Sequence, residues 1–111
     1  VRLINGNTSW TTQSDENLKE NIEELDSVLP KIKDIRCVTY NLKSQTESDK
    51  KIGFIAQDWK TDFGEVVIED PEDQMLGMSY TETIPVLMKA IQEQQAQIES
   101  LQAEVEALKN G

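Results

Sequence analysis

The sequence predicts an α+β fold, in which a small antiparallel sheet with flanking helices precedes a long C-terminal helix. Three observations support this fold class. Apolar residues recur at helical spacing over residues 18–29, short β-branched runs separated by turn residues fill the middle of the chain, and a heptad repeat runs through its last part. A chain of 111 residues forms only a modest core, so partner chains are expected to supply part of the buried surface.

The composition argues against several classes of protein. The formal net charge is -10, from 11 basic and 21 acidic residues, and nucleic-acid binding is not expected because phosphate contacts need clustered Lys and Arg. Histidine is absent, so a Ser-His-Asp triad is impossible and no metal or other cofactor is expected. No apolar run approaches the roughly 18 residues of a membrane span, so no membrane partner is expected. The single Cys37 is interpreted as a structural thiol in a reducing compartment.

Residues 1–13 are interpreted as a leader, either the end of an upstream region or a linker. Asn5-Gly6 is a turn signal between a short apolar start and a Thr/Ser/Trp stretch of good strand propensity. The segment has too little apolar surface to fold alone. We therefore expect it to belong to a larger structure that lies upstream of Val1.

A globular unit is predicted over residues 14–80, and it is expected to begin with a helix. Its first apolar residues recur at i, i+4, i+7 and i+11, while Glu16, Glu20, Glu23, Glu24 and Asp26 are expected to face water. Pro30 is expected to end this helix. The predicted apolar stripe consists of Leu18, Ile22, Leu25 and Leu29.

Short strands are predicted to follow and to form one small antiparallel sheet. The first of them is rich in β-branched and aromatic residues, and the others are short apolar runs next to polar or turn residues. Gly53 interrupts one of these runs, which indicates a bulge or a close backbone approach. A helical turn is expected over residues 57–62. The predicted strands are 35–42, 52–56, 65–69 and 75–80.

Residues 81–111 are predicted to form a coiled-coil helix. With Ile84 at heptad position a, only Gln94 among the eight a and d positions is polar. Ile or Val at a with Leu at d favours two strands, whereas a buried Gln94 could be satisfied in three, so the seam leaves the number of chains open. The seam consists of Ile84, Leu87, Ile91, Gln94, Ile98, Leu101, Val105 and Leu108.

Ser14 and Lys19 allow two interpretations. In the first, Ser14 is the N-cap of the predicted helix and Lys19 is a solvated charge. In the second, Ser14 is a nucleophile and Lys19 its general base, since no histidine is available. Residues five apart on an ideal helix point about 140° away from each other, so a helix through both would separate the two groups. The acidic neighbours also stabilise the charged lysine, whereas a base must be neutral.

The order of motifs resembles one family, the C-terminal intramolecular chaperone or auto-processing domain of phage tailspikes, tail fibres and neck appendages, including endosialidase tailspikes. A related domain occurs in the myelin regulatory factor. The combination of SDENLKENI with GFIAQ is the specific part of the match, which extends over about residues 14–108. The motifs are SDENLKENI at 14–22, a Val-x-Tyr strand at 38–40, GFIAQ at 53–57, a Glu-Val-Val strand at 65–67, Tyr80, and Leu-x-x-Ala-Ile-Gln-Glu at 87–93.

This resemblance implies a homotrimer held by the C-terminal helices, which keeps three copies of an upstream fibre or spike region in register while they fold. It further implies single-turnover self-cleavage, with Ser14 as the nucleophile, Lys19 as its general base and the Gln13–Ser14 peptide as the scissile bond. The expected place of action is the host-cell cytoplasm during phage assembly, and the released domain is expected to be absent from the mature virion. The alternative is a non-catalytic trimerisation module that stays attached to its fibre.

Overall fold

A computed structural model describes residues 2–3, 10–11, 13–44 and 49–111 of the chain. Strands β1 (Arg2–Leu3) and β2 (Trp10–Thr11) pair antiparallel near the N-terminus. The turn predicted at Asn5-Gly6 lies outside the described residues. How residues 1–13 relate to an upstream region stays a prediction.

The helix predicted from Ser14 to Leu29 is not formed, and this prediction was wrong. A single 3-10 turn spans Glu16–Leu18, and the following residues run without regular structure as far as Val28. Like charges at i, i+4, such as Glu16 with Glu20, disfavour a helix here. Of the apolar stripe, only Leu29 packs against the core, and helix stability in proteins comes mainly from such packing. Its first three members, Leu18, Ile22 and Leu25, are exposed.

Helix α1 (Leu29–Ile32) begins where the predicted helix was expected to end. Pro30 lies in its first turn, where the missing N–H of proline costs little and its fixed φ suits a helix start. Proline therefore starts a helix here instead of terminating one. Val28, immediately before α1, is 1% exposed and belongs to the core.

Two antiparallel hairpins follow instead of the single sheet that was predicted. Strand β3 (Cys37–Tyr40) pairs with β4 (Lys51–Phe54), and β5 (Val67–Glu69) pairs with β6 (Leu76–Met78). In register, Val38 lies opposite Gly53. The predicted strand at 65–69 is shorter than expected because its first residues form a 3-10 turn, Gly64–Val66.

Gly53 is required by a close approach, as its position within an apolar run predicted. A Cβ atom there would lie 2.6 Å from the hydroxyl oxygen of Tyr80. The same hydroxyl accepts a hydrogen bond from the backbone N–H of Phe54 at 3.1 Å, and the two rings stack with centroids 5.8 Å apart. Tyr80 thereby ties the β3–β4 hairpin to the start of the C-terminal helix.

Helix α2 (Ala56–Lys60) follows β4 directly and places Trp59 at the centre of a small core. Trp59 is 1% exposed and contacts the rings of Phe54 and Phe63 at centroid distances of 5.1 and 5.3 Å. The core is completed by one face of helix α3 (Thr83–Asn110), which has Pro85 in its first turn. The buried apolar residues of the described chain are Val28, Trp59, Phe63, Val66, Val86 and Ala90.

Candidate active site

Ser14 and Lys19 lie on either side of the single 3-10 turn in the N-terminal part of the globular unit. Asp15 caps this turn, because its carboxylate accepts a hydrogen bond from the backbone N–H of Asn17 at 2.9 Å. The turn closes when the backbone N–H groups of Leu18 and Lys19 donate to the carbonyls of Asp15 and Glu16. The sequence offered Ser14 as the cap, and the structure gives that role to its neighbour Asp15.

The ammonium nitrogen of Lys19 lies 2.7 Å from the hydroxyl oxygen of Ser14. This contact is possible because Lys19 has extended backbone angles, φ -112° and ψ 149°, so the chain leaves the turn before an α-helix can form. The 140° separation expected on a helix therefore does not arise. The structure brings together the two residues that the sequence had singled out as a pair.

The distance between the two atoms lies within the range for proton transfer between a nucleophile and its base. A charged lysine donates to the serine oxygen, whereas a neutral lysine can accept the serine proton across the same distance. Ser14, Lys19 and Gln13 are all exposed in the single chain.

Residues 14–27, here called the arm, carry this pair and expose apolar side chains. Leu18 is 66% exposed and Ile22 is 62% exposed. Asn21 adopts a φ of 55°, in the left-handed region that asparagine tolerates better than most residues. The apolar side chains of the arm are thus displayed to solvent instead of packing on the core.

Helix α3 holds the C-terminal end of the arm. The carboxylate of Glu93 accepts hydrogen bonds from the Ser27 hydroxyl at 2.5 Å and from the Val28 backbone N–H at 2.6 Å. The pKa of the Glu93 carboxyl lies below its ordinary value of 4.5. The hydrogen bond from Ser27 is the largest cause, and the bond from the Val28 backbone is the next. No local pattern in the sequence indicated this contact, because its partners are 65 and 66 residues apart.

Helix α3 presents the predicted seam on a face beside the one that packs on the core. All eight seam residues are exposed in the single chain, including Gln94. The face that packs on the globular unit instead contains Thr83, Val86 and Ala90. The helix is continuous over 28 residues, about 42 Å at 1.5 Å per residue, and its last turns extend beyond the globular unit.

None of the helices in the described part of the chain combines the length and apolar character needed to cross a membrane. Within the same residues, no three or more Asp, Glu, Cys or His side chains are grouped so that they could hold a metal ion. Cys37 is exposed and is not in a disulfide.

Residues 14–68 match the family model Peptidase_S74, described as "Chaperone of endosialidase". The matched region begins at Ser14, includes Lys19 and the GFIAQ segment, and ends within strand β5. No curated protein sequence matches the chain.

Proposed function

The chain belongs to the family of endosialidase chaperones, and on that premise we propose that it is an intramolecular chaperone that releases itself by autoproteolysis. Three copies associate through the seam of α3 and hold an upstream tail fibre or spike region in register while it folds. Ser14 and Lys19 then cut the chain between Gln13 and Ser14. The reaction takes place once per chain, in the host-cell cytoplasm during phage assembly, and the released domain is left out of the mature virion.

The observation that carries this proposal is the 2.7 Å contact between the Ser14 hydroxyl and the Lys19 amine, next to the Gln13–Ser14 peptide bond. Neutral Lys19 takes the proton of the Ser14 hydroxyl as its oxygen attacks the carbonyl carbon of Gln13. Lys19 then returns this proton to the departing Ser14 nitrogen. The C–N bond breaks, and an ester joins the Gln13 carbonyl to the Ser14 oxygen.

Water completes the reaction. A water molecule attacks the ester carbonyl, and the Ser14 oxygen leaves with a proton. The products are a free carboxylate at Gln13 and a free amino group at Ser14, so one water is consumed for each bond cut. No cofactor or external substrate takes part.

Trimer formation supplies the burial that the exposed pair needs. A neutral lysine becomes favourable only when water is removed from around it, and association of three chains is the event that removes it. The apolar side chains of the arm, such as Leu18 and Ile22, and the exposed seam are surfaces that association would bury. Because each copy carries a formal charge of -10, burial at the seam must also offset repulsion between the chains.

A static trimerisation module, with the same fold but no chemistry, is the alternative. The two functions are separated by expressing the chain with its natural upstream segment as wild type, Ser14→Ala and Lys19→Ala. Self-cleavage predicts that the wild type is cut and both variants stay intact, while light scattering gives a trimer mass for all three. If all three proteins are cut to the same extent, or if the wild type is not cut at all, the static module is favoured.

A further inference from the structure

The arm is joined to the rest of the domain chiefly through one helix. Among the described residues, the hydrogen bonds and ion pairs that join the arm to other elements all go to α3. Ser27 donates a hydrogen bond to Glu93, and Glu24 forms an ion pair with Lys89. The adjoining Val28 N–H also donates to Glu93. Lys89 and Glu93 are four residues apart and so lie on the same side of the helix. The helix predicted to form the trimer therefore also holds the segment that carries Ser14 and Lys19.

These two connections differ in strength. The Lys89–Glu24 pair has its charged atoms 3.8 Å apart, and the Glu24 side chain is 95% exposed, so water and salt screen it. Glu93 instead accepts two short hydrogen bonds onto a charged, partly buried carboxylate. Charge-assisted bonds of this kind are stronger and more directional than an exposed ion pair. Glu93 is therefore the principal attachment of the arm.

Glu93 also lies close to the seam along the helix. It follows Ile91 by two residues and precedes Gln94 by one, yet it points to the arm while both of these are exposed. Packing of Ile91 and Gln94 against other chains would fix the position of α3 at this level. The end of the arm would then be fixed with it.

We propose that Glu93 is a positioning residue for self-cleavage: by fixing the arm to the seam helix, it places Ser14 and Lys19 where the assembled trimer buries them. This inference rests on the proposed function and adds to it a link between assembly and chemistry. Glu93 does not touch the reacting atoms. Its effect is transmitted through Ser27 and Val28 to the arm.

The test compares cleavage rates of Glu93→Ala, Glu93→Gln and Glu93→Asp in the chain with its natural upstream segment. Glutamine keeps the length of the side chain, with an oxygen for the Val28 N–H and an amide N–H for the Ser27 oxygen. Aspartate keeps the charge but is one methylene too short to reach both groups. We expect alanine and aspartate to slow cleavage on the order of 10²-fold, since small displacements of reacting groups have effects of that size, and glutamine to restore most of the rate.

Glu106→Ala is the matched control, because it removes a carboxylate from an exposed position of the same helix. It should cleave at the wild-type rate. Light scattering should give a trimer mass for every variant. A role of Glu93 in charge alone predicts the opposite order, with aspartate active and glutamine impaired, and that order would overturn the inference.

Trimeric Glu93→Ala that cleaves at the wild-type rate would overturn this inference and leave the proposed function standing. A wild-type chain that is never cut would overturn both. If Glu93→Ala does not assemble, the cleavage rate of Ser27→Ala tests the positioning role instead, because this variant removes only one of the two hydrogen bonds to Glu93. Slower cleavage by a trimeric Ser27→Ala supports the positioning role, and an unchanged rate refutes it.

Discussion

Ala90 and Ile91 are neighbours on helix α3, but Ala90 is 6% exposed and Ile91 is 66% exposed. The helix therefore has two apolar faces of different kinds. One packs on Trp59 and its neighbours within the same chain, and the other faces solvent in the single chain. The same 28-residue element can thus complete a small core and present a seam to other copies.

The double variant Ile91→Asp with Ile98→Asp should prevent trimer formation and thereby self-cleavage, because two charges would have to be buried in each seam. Light scattering gives the mass, and gel analysis of the precursor gives the fraction cut. Ala96→Asp with Ala103→Asp introduces the same charges at the same spacing on the outer face of the helix. This control should stay trimeric and be cut normally. Undiminished cleavage by a monomeric seam variant would show that self-cleavage does not depend on the trimer.

Lys19→Arg should stop cleavage while leaving assembly intact. Arginine keeps the positive charge and can still contact Ser14, but it stays protonated and cannot accept the serine proton. We expect a rate loss of roughly 10²- to 10⁴-fold, the usual contribution of a general base. Lys109→Arg at the end of α3 is the control. An active Lys19→Arg trimer would show that Lys19 acts by charge and not as a base.

Trp59→Ala should unfold the globular unit. Removing a buried tryptophan costs about 3–5 kcal/mol, which is comparable to the whole stability of a small domain. The seam residues of α3 are exposed and not part of the core, so we expect circular dichroism to show helix that persists in a trimer. Near-ultraviolet signals of packed aromatic rings and self-cleavage should both be lost. Retention of cleavage would show that the core does not support the site.

Asp58→Asn should lower the melting temperature more at pH 7 than at pH 2. The fork of hydrogen bonds from the Arg36 side chain and the bond from its backbone hold the pKa of Asp58 below 3.8. A carboxyl with a lowered pKa contributes stability above its unfolded value and loses that contribution as the pH falls through the folded one. Asp62→Asn, for which no partner is seen among the described residues, is the control. An equal effect of Asp58→Asn at both pH values would contradict this role.

Helix α3 and the β3–β4 hairpin were accessible from sequence because each carries a sustained local signal. The heptad repeat persists from Ile84 to Leu108, and Gly53 marked the point where Tyr80 approaches the backbone. The apolar stripe that begins at Leu18 was equally regular, but Leu18, Ile22 and Leu25 are exposed in the single chain. The spacing of apolar residues indicates which side chains can be buried together, but it does not determine whether they lie on a helix or on an extended segment.

The contact between Ser14 and Lys19 could not be derived from spacing, because a helix at this place would have separated the two side chains. It depends on where the turn ends, and that is set by the extended backbone of Lys19 after the Asp15 cap. The bonds from Ser27 and Val28 to Glu93 depend on tertiary packing across the whole domain. Neither contact can be predicted from the local sequence pattern.

Mass spectrometry of the purified protein, expressed with its natural upstream segment, shows whether assembled chains cut themselves before Ser14. We expect a new N-terminus at Ser14 and a complementary fragment that ends in a free carboxylate at Gln13, both absent from Ser14→Ala. An intact wild-type trimer, or a cut at any other bond, would rule out self-cleavage before Ser14.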